Sequence, residues 1–325
     1  MNIGRYTSGL RRRVGAGLLA LGVAAAALAC GSDDAGSTAG SVTVKHVMGE
    51  TKIDGTPSRI VVMGPQWFDA ALALGVSPVG YLVPGLTAST AAPWEPPIPA
   101  SAKRIDASGD LVEQIAALEP DLILAPAFMV DRARYDKFSK LAPVIDSLTS
   151  AQIDPWRDQV TTLGKVLHKE SDAVRVIARV DATVADVTSR YPGLRGKTFL
   201  TCMLTGPAQL MVLADPKDGS AEVFNGLGMA IPQNIVREAP RGGRLALSPE
   251  RLGDLTSDLL VCGAMPSLEQ KFRELPGYPQ LPSVRTGSIA FVDVVDINAI
   301  NQPTALTVPY VLQKLESTFA KVAGR

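Results

Sequence analysis

The chain has 325 residues, 20% of them charged and 46% hydrophobic, and its 32 basic residues balance its 32 acidic ones. This length is enough for two modest domains or one large one. No basic run stands out beyond residue 30, which argues against nucleic acid as a partner. Two scattered histidines do not predict a bare-metal site.

Residues 1–30 have the three parts of a secretion signal: an arginine-rich start, an apolar run at 14–29 and a small-residue cleavage site. The apolar run is shorter than the about 20 residues that a membrane-spanning helix needs. Cys30 and the three residues before it resemble the lipobox at which bacterial lipoproteins are cleaved and acylated. The sequence therefore predicts an exported chain, anchored by lipid at Cys30 to the outer face of the cytoplasmic membrane.

Residues 31–41 are rich in Gly, Ser and Asp, which predicts a flexible tether. The folded part should begin near Val42. Cleavage after residue 29 removes four arginines and no acid, which leaves 28 basic against 32 acidic residues. The mature chain is therefore mildly acidic.

Beyond the tether, short apolar runs alternate with helical stretches, which is typical of parallel sheets covered by helices. The first set has predicted strands at 59–63, 79–83, 121–125 and 144–146, and predicted helices at 66–74, 110–118, 132–140 and 156–168. We interpret residues 42–170 as an N-terminal lobe.

The segment 171–191 carries the most informative local pattern. Ser171 is a predicted N-cap, apolar residues recur at helical spacing from Val174 to Tyr191, and Pro192-Gly193 ends the pattern. A helix of this length is about 30 Å long, so it can cross from one lobe to another. The alternative is an ordinary crossover helix within one larger α/β domain.

A second set of elements follows, and we interpret residues 192–325 as a C-terminal lobe. It has predicted strands at 197–204, 258–262 and 289–293 and predicted helices at 221–227, 248–252 and 303–323. Cys202 and Cys262 lie in two of these strands, which predicts buried thiols. A disulfide between them is allowed in an exported protein but is not required.

Several segments resemble one known family, the substrate-binding proteins of iron-siderophore, haem and cobalamin importers, over nearly the whole chain from Gly55 to Lys314. The resemblance depends on the order and spacing of Pro57-Ser58-Arg59-Ile60-Val61-Val62, Asp69, Ala73-Leu74-Gly75-Val76, the segment 113–124 that begins Glu113-Gln114-Ile115, Leu141-Ala142-Pro143-Val144, Ser248-Pro249-Glu250-Arg251-Leu252 and Asp258-Leu259-Leu260-Val261. No single segment is decisive, but their common order is specific.

This resemblance implies an α/β fold of two Rossmann-like lobes joined by a single long rigid α-helix, with the ligand in the cleft between the lobes. It also implies a monomer that delivers a small-molecule iron chelate to the transmembrane subunits of an ABC importer. In such proteins one glutamate on each lobe docks with importer arginines, and Glu113 and Glu250 match those positions. The alternative is that both acids only complement helix N-termini.

Candidate ligand-binding residues lie in the loops after predicted strands, at the end of the sheet where α/β proteins bind ligands. They are Gln66, Trp67, Tyr81, Trp94, Phe128 and Met129 in the first lobe and Arg241, Arg244, Asn298 and Asn301 in the second. For each aromatic residue, plain core packing is the alternative.

The expected ligand is a ferric siderophore, and no covalently bound cofactor is expected. Hydroxamate-binding members of the family carry an arginine in the loop before the segment that reads Glu95-Pro96-Pro97 here, whereas residues 89–94 contain none. This departure favours a less anionic or more lipophilic chelate. Haem is the alternative ligand, with Tyr81 on the iron and Arg241 or Arg244 on the propionates.

Two other classes of protein remain as alternatives, an α/β envelope enzyme and a scaffold lipoprotein. The chain lacks dinucleotide, P-loop, zinc-protease and nucleophile-elbow motifs, so no catalytic residues are predicted. A scaffold would bind neither chelates nor porphyrins.

Overall fold

The computed structural model describes residues 40–83, 92–206, 209–264 and 266–324. The predicted signal, the lipidation site Cys30 and nearly all of the tether lie outside the described residues, as does the loop segment 89–91. Residues 40–324 fall within one compact unit. No helix in the described ranges is long and apolar enough to cross a membrane.

The first lobe begins with an antiparallel hairpin of β1 (Val42–His46) and β2 (Gly49–Ile53), which precedes a sheet of five parallel strands. The strands are β3 (Ile60–Met63), β4 (Gly80–Leu82), β5 (Lys103–Arg104), β6 (Leu122–Leu124) and β7 (Val144–Ile145), in the spatial order β5-β4-β3-β6-β7. All four residues of the central strand β3 are buried, as expected of a parallel strand covered on both faces.

Four helices accompany these parallel strands, and α1 ends at a recognisable signal. They are α1 (Pro65–Ala73), α2 (Leu111–Ala116), α3 (Arg132–Phe138) and α4 (Trp156–Val166). Gly75 follows the last turn of α1 with φ of 71° and donates its N–H to the Leu72 carbonyl, while the Val76 N–H reaches the Ala71 carbonyl. This Schellman pattern requires the left-handed conformation that glycine adopts readily.

Helix α5 (Glu170–Arg190) follows, 21 residues long. It packs against α4 of the first lobe and against α11 (Thr307–Lys314) of the second, so it touches both halves of the fold. Its N-cap is Lys169, without a side-chain cap, so the prediction of Ser171 as N-cap is wrong. The predicted helix itself is confirmed, shifted by one residue.

The second lobe contains a mixed sheet of five described strands. They are β8 (Phe199–Gly206), β9 (Gln209–Leu213), β10 (Arg244–Leu247), β11 (Leu259–Gly263) and β12 (Ile289–Val292), in the spatial order β10-β9-β8-β11-β12. Strands β8, β11 and β12 are parallel, whereas β9 and β10 are antiparallel additions. Cys202 and Cys262 are register partners on β8 and β11, and both are buried free thiols.

Short helices cover this sheet. They are α6 (Glu222–Gly226), α7 (Gln233–Arg237), α8 (Pro266–Arg273), α9 (Pro282–Arg285), α10 (Val294–Asn301), α11 and α12 (Glu316–Ala323), with 3-10 helices at Pro192–Leu194, Gly219–Ala221, Pro249–Leu255 and Tyr278–Gln280.

The predicted single helix at 303–323 is wrong, because two helices, α11 and α12, meet at Leu315 and α11 begins only at Thr307. The Thr304 hydroxyl accepts the N–H groups of Leu306 and Thr307, which holds the preceding residues in a turn. Pro309 lacks the N–H that a longer helix would need there.

Candidate ligand-binding cleft

A cavity of about 100 Å³ lies where the first lobe meets α10 and α11 of the second. It is lined by Pro65, Val83, Trp94, Glu95, Val294, Val295, Asn298, Ala299, Gln302 and Thr307. Small-molecule pockets commonly measure roughly 300–1,000 Å³, so a bulky ligand needs more room than this cavity offers. Such a ligand must extend out of the cavity or separate its walls.

The turn between β3 and α1 forms the first-lobe floor of the cavity. Gly64 has φ of 80°, and a Cβ atom at this position would lie 3.0 Å from Pro126 Cγ. Its N–H donates to the Leu82 carbonyl at 2.8 Å, which ties β3 to the end of β4. The tight turn therefore presents Pro65 at the carboxyl end of the sheet, where α/β proteins bind ligands.

Helix α10 forms the opposite wall. The Asp293 carboxylate caps it by accepting the Asp296 N–H at 2.8 Å. Val294 and Val295, its first two residues, are 37% and 43% exposed although both are apolar. Exposed apolar side chains that line a cleft are typical of a surface that a ligand covers.

Trp94 and Glu95 reach the cavity from the segment that follows β4. The Trp94 ring lies 5.2 Å from the Tyr310 ring of α11, so this contact bridges the two lobes. Glu95 Oε2 accepts the Ala92 N–H at 2.9 Å. Burial raises the pKa of Glu95, and the hydrogen bond from Ala92 opposes that rise.

Asp69, a residue of helix α1, is fully buried and lies close enough to Glu95 to feel its charge. The Thr304 hydroxyl of the second lobe donates to its Oδ2 at 2.6 Å. Burial raises the pKa of Asp69 to about 8; the Thr304 bond and the nearby Trp94 indole lower it, and the charge of Glu95 raises it. Asp69 is therefore mostly protonated at neutral pH.

Gln66 forms a second polar link between the lobes. Its Nε2 donates to the carbonyls of Asp154 and Pro303, each at 3.1 Å, and its side chain is buried. The adjacent Trp67 is completely buried in the core. Neither predicted binding residue lines the cavity.

Three other first-lobe candidates also lie away from the cavity. Tyr81 stacks on Phe68 with ring centroids 5.0 Å apart, and Phe128 is 46% exposed. Met129 Sδ lies against the turn at Gly64. Of the six first-lobe candidates, Trp94 alone lines the cavity.

In the second lobe, Asn298 lines the cavity, whereas Arg244 is engaged elsewhere. Arg244 Nη2 donates to Asp218 Oδ1 at 3.1 Å and to Ser220 Oγ at 2.6 Å. Ser220 in turn donates to the backbone carbonyl of Asn301, which does not line the cavity. Arg241 is exposed on the turn before β10 and is not a lining residue either.

The two predicted docking acids lie on the surface. Glu113 is exposed in the first turn of α2, where Asp110 caps the helix. Glu250 is exposed in the 3-10 helix at Pro249–Leu255, and hydrogen bonds from Ser248 and its own backbone lower its pKa. Both carboxylates are therefore accessible to a partner.

Sequence reasoning missed several cavity residues. Val294 and Val295 directly follow the predicted strand that ends at residue 293, and two apolar residues at a helix start were the available signal. Glu95 was read only as part of a family segment. Gln302 and Thr307 carry no local signal, because the break between α10 and α11 places them at the cavity.

Among the described residues, no three His, Cys, Asp or Glu side chains converge as metal ligands. What the cleft offers instead is an apolar wall with a few polar groups contributed by two lobes. Such an arrangement binds a ligand by shape and hydrogen bonds. It is the arrangement expected of a protein that binds a small solute between two lobes.

Comparison with known proteins identifies the family. The sequence model described as "Periplasmic binding protein" matches residues 60–294, most of the chain. The chain therefore belongs to this family of substrate-binding proteins.

Three relatives illustrate the similarity. "Probable siderophore-binding lipoprotein YfiY" of Bacillus subtilis is 31% identical over 161 residues, 48% of this chain and 47% of that protein. "Iron(3+)-hydroxamate-binding protein FhuD" of the same organism is 26% identical over 266 residues, 78% and 80% of the two chains. A periplasmic solute binding protein of Mycobacterium smegmatis superposes with a TM-score of 0.71 at 27% identity, covering 88% of this chain and 99% of the other.

Proposed function

We propose that this chain is an extracytoplasmic binding protein that captures a ferric siderophore and delivers it to an ABC importer. The observation that carries the proposal is the apolar cavity whose walls come from both lobes. Family membership supports it, and so do the iron-chelate binders among the relatives. The chain acts by binding, not by catalysis.

In this proposal residues 42–170 and 192–325 are the two lobes and residues 171–191 the connecting helix. Lipid on Cys30 keeps the monomeric protein at the outer face of the cytoplasmic membrane, and Glu113 and Glu250 contact the importer. The similarity to a lipoprotein supports the anchor. The exposed position of both acids, one on each lobe, supports the docking role.

Trp94 and Asn298 are the predicted binding residues that line the cavity, and Glu95, Val294, Val295 and Gln302 join them. No observation favours haem, because the Tyr81 ring packs on Phe68 instead of facing the cavity. We therefore keep haem only as one arm of the test.

The test is a fluorescence titration of the purified full-length protein with ferric hydroxamate, catecholate and carboxylate siderophores, haem and cobalamin. Saturable quenching by at least one ferric siderophore is expected, because Trp94 forms part of the cavity wall. The Trp94→Phe variant should retain binding but lose much of the quenching. Saturation by haem alone, or by no compound, would overturn the proposal.

A further inference from the structure

The lining residues that the structure describes include hydrogen-bond acceptors and no cation. Glu95 is the one charged residue among the described lining residues. Gln302 Oε1 is buried and has no hydrogen-bond partner. A buried acceptor without a donor is unfavourable until a ligand supplies one.

Three basic side chains in the described part of the chain are already paired with acids or hydroxyls. Arg244 is held by Asp218 and Ser220, and Lys314 is held by Asp296 at 2.8 Å. Arg157 is paired with Asp181 and Glu222, each at 2.5 Å.

Residues 84–91, which connect Val83 to the rest of the cavity wall, read Pro-Gly-Leu-Thr-Ala-Ser-Thr-Ala. They contain no charged side chain, so this segment supplies no cation whatever its placement. The absence of positive charge at the cavity therefore does not depend on where these residues lie.

Charge decides which chelates such a wall accepts. The Glu95 carboxylate is partly removed from water. An anionic ligand brought against it is repelled, and it loses its own hydration without gaining a counterion. A ligand ammonium or amide N–H instead forms a hydrogen bond with Glu95 or with the unpaired oxygen of Gln302. Hydrogen bonds that involve a charged group are the stronger kind.

We propose that the cleft selects ferric chelates without net negative charge, and that it favours those that direct an ammonium or N–H donor towards Glu95 and Gln302. The inference depends on the proposed function and specifies its ligand class. Glu95 is thus the specificity-determining residue of the site.

The experiment compares two chelates that share one trihydroxamate iron centre and a third, anionic chelate with a different one. Ferric desferrioxamine B carries a terminal ammonium, its N-acetylated derivative is the neutral analogue, and ferric citrate is the anionic probe. We expect the purified full-length protein to bind the ammonium form about tenfold more tightly than the acetylated form, as one charge-assisted hydrogen bond allows. Ferric citrate should not saturate.

Two variants make the test specific. Glu95→Gln keeps the shape of the side chain and should bring the affinities for the ammonium and acetylated forms within about twofold of each other. Glu50→Gln, an exposed acid on the first hairpin, should leave the preference unchanged. Far-UV circular dichroism checks that each variant is folded, and a salt titration of the unmodified protein measures the same charge preference without any substitution.

The outcomes separate the two proposals. If no ferric chelate of any charge binds, the proposed function fails. If chelates bind but ferric citrate binds at least as tightly as desferrioxamine B, or if Glu95→Gln leaves the preference intact, the charge inference alone is overturned. If Arg241→Ala then lost citrate binding, Arg241 would be the cation that binds the anionic chelate.

Discussion

At the scale of single residues, the buried carboxyl of Asp69 is the clearest electrostatic feature of the molecule. Its pKa of about 8, raised by burial, means that the folded chain keeps a proton that the unfolded chain loses near pH 4. Between these values the unfolded state binds fewer protons, so the free energy of unfolding falls as pH rises. The stability associated with protonated Asp69 is complete below pH 4 and lost above pH 8.

The Asp69→Asn variant removes this titration while keeping the acceptor for Thr304. We expect it to melt near the unmodified protein at pH 5 and several degrees higher at pH 8, since 1 kcal/mol corresponds to roughly 2–4 °C in a large domain. Differential scanning calorimetry from pH 5 to pH 9 measures the difference. Asp136→Asn, at an exposed aspartate, should show no such trend, and a constant offset for both variants would contradict the assignment.

Of the binding residues predicted from sequence, only two coincide with the cavity, and their role in binding stays a prediction. Trp94 and Asn298 were predicted to face the ligand, and both line the cavity. Arg244 was predicted on the same grounds, yet the sequence did not reveal Asp218, its buried partner from a distant turn. Such ion pairs depend on tertiary contacts, which local patterns do not encode.

At the scale of elements, strands β6 and β11, each directly preceded by an aspartate, carry a clear signal in the sequence. Asp121 accepts the N–H groups of Ser58 and Arg59, and Asp258 accepts the N–H and hydroxyl of Thr198. Each carboxylate thus joins its own strand to a parallel neighbour, β3 in the first lobe and β8 in the second, which explains why acidic-then-apolar segments predicted the parallel core. The antiparallel strands β9 and β10 were missed, because their short runs pair only through contacts distant in sequence.

Helix α10 supplies four of the ten described residues that line the cavity, and it packs against Gly263 on β11. A Cβ atom at Gly263 would lie 2.4 Å from Ile297 Cγ1, so alanine there must displace the helix. We expect Gly263→Ala to destabilise the fold by about 1–3 kcal/mol and to weaken chelate binding, since Val294 and Asn298 move with α10. Thermal melting and fluorescence titration measure the two effects.

Gly253→Ala provides the matched control, because a Cβ atom at this exposed glycine meets no atom within 4 Å. It should change neither stability nor affinity appreciably. If Gly263→Ala were equally silent, α10 would not be held by β11 in the way that the packing indicates.

At the scale of the whole molecule, helix α5 contacts elements of both lobes, and a small set of polar contacts crosses between the lobes. Gln66 donates to backbone carbonyls on both sides of the cleft, and Thr304 donates across it to Asp69. The sequence predicted α5 from its periodicity, because a long amphipathic helix is a local signal. It did not predict the two contacts between the lobes, Gln66 with Pro303 and Thr304 with Asp69, which join residues more than 200 positions apart.

Because Glu113 and Glu250 lie outside the cavity, ligand binding and delivery to the importer can be tested separately. Glu113 and Glu250 belong to different lobes, and neither lines the cavity, so replacing both by Ala should leave chelate affinity unchanged. If they dock with importer arginines, the double variant should reduce uptake of radiolabelled ferric chelate by intact cells at least tenfold, because two ion pairs at an interface are lost together.

The control for this prediction is a double variant at other exposed acids, Glu50→Ala with Glu274→Ala, again one from each lobe. It carries the same change in net charge and should support normal uptake, which separates docking from general electrostatic attraction. Full uptake by the Glu113/Glu250 double variant would mean that the two acids do not dock with the importer and only complement helix N-termini. Loss of chelate binding in that variant would instead mean that these acids shape the cleft, because binding to the isolated protein involves no importer.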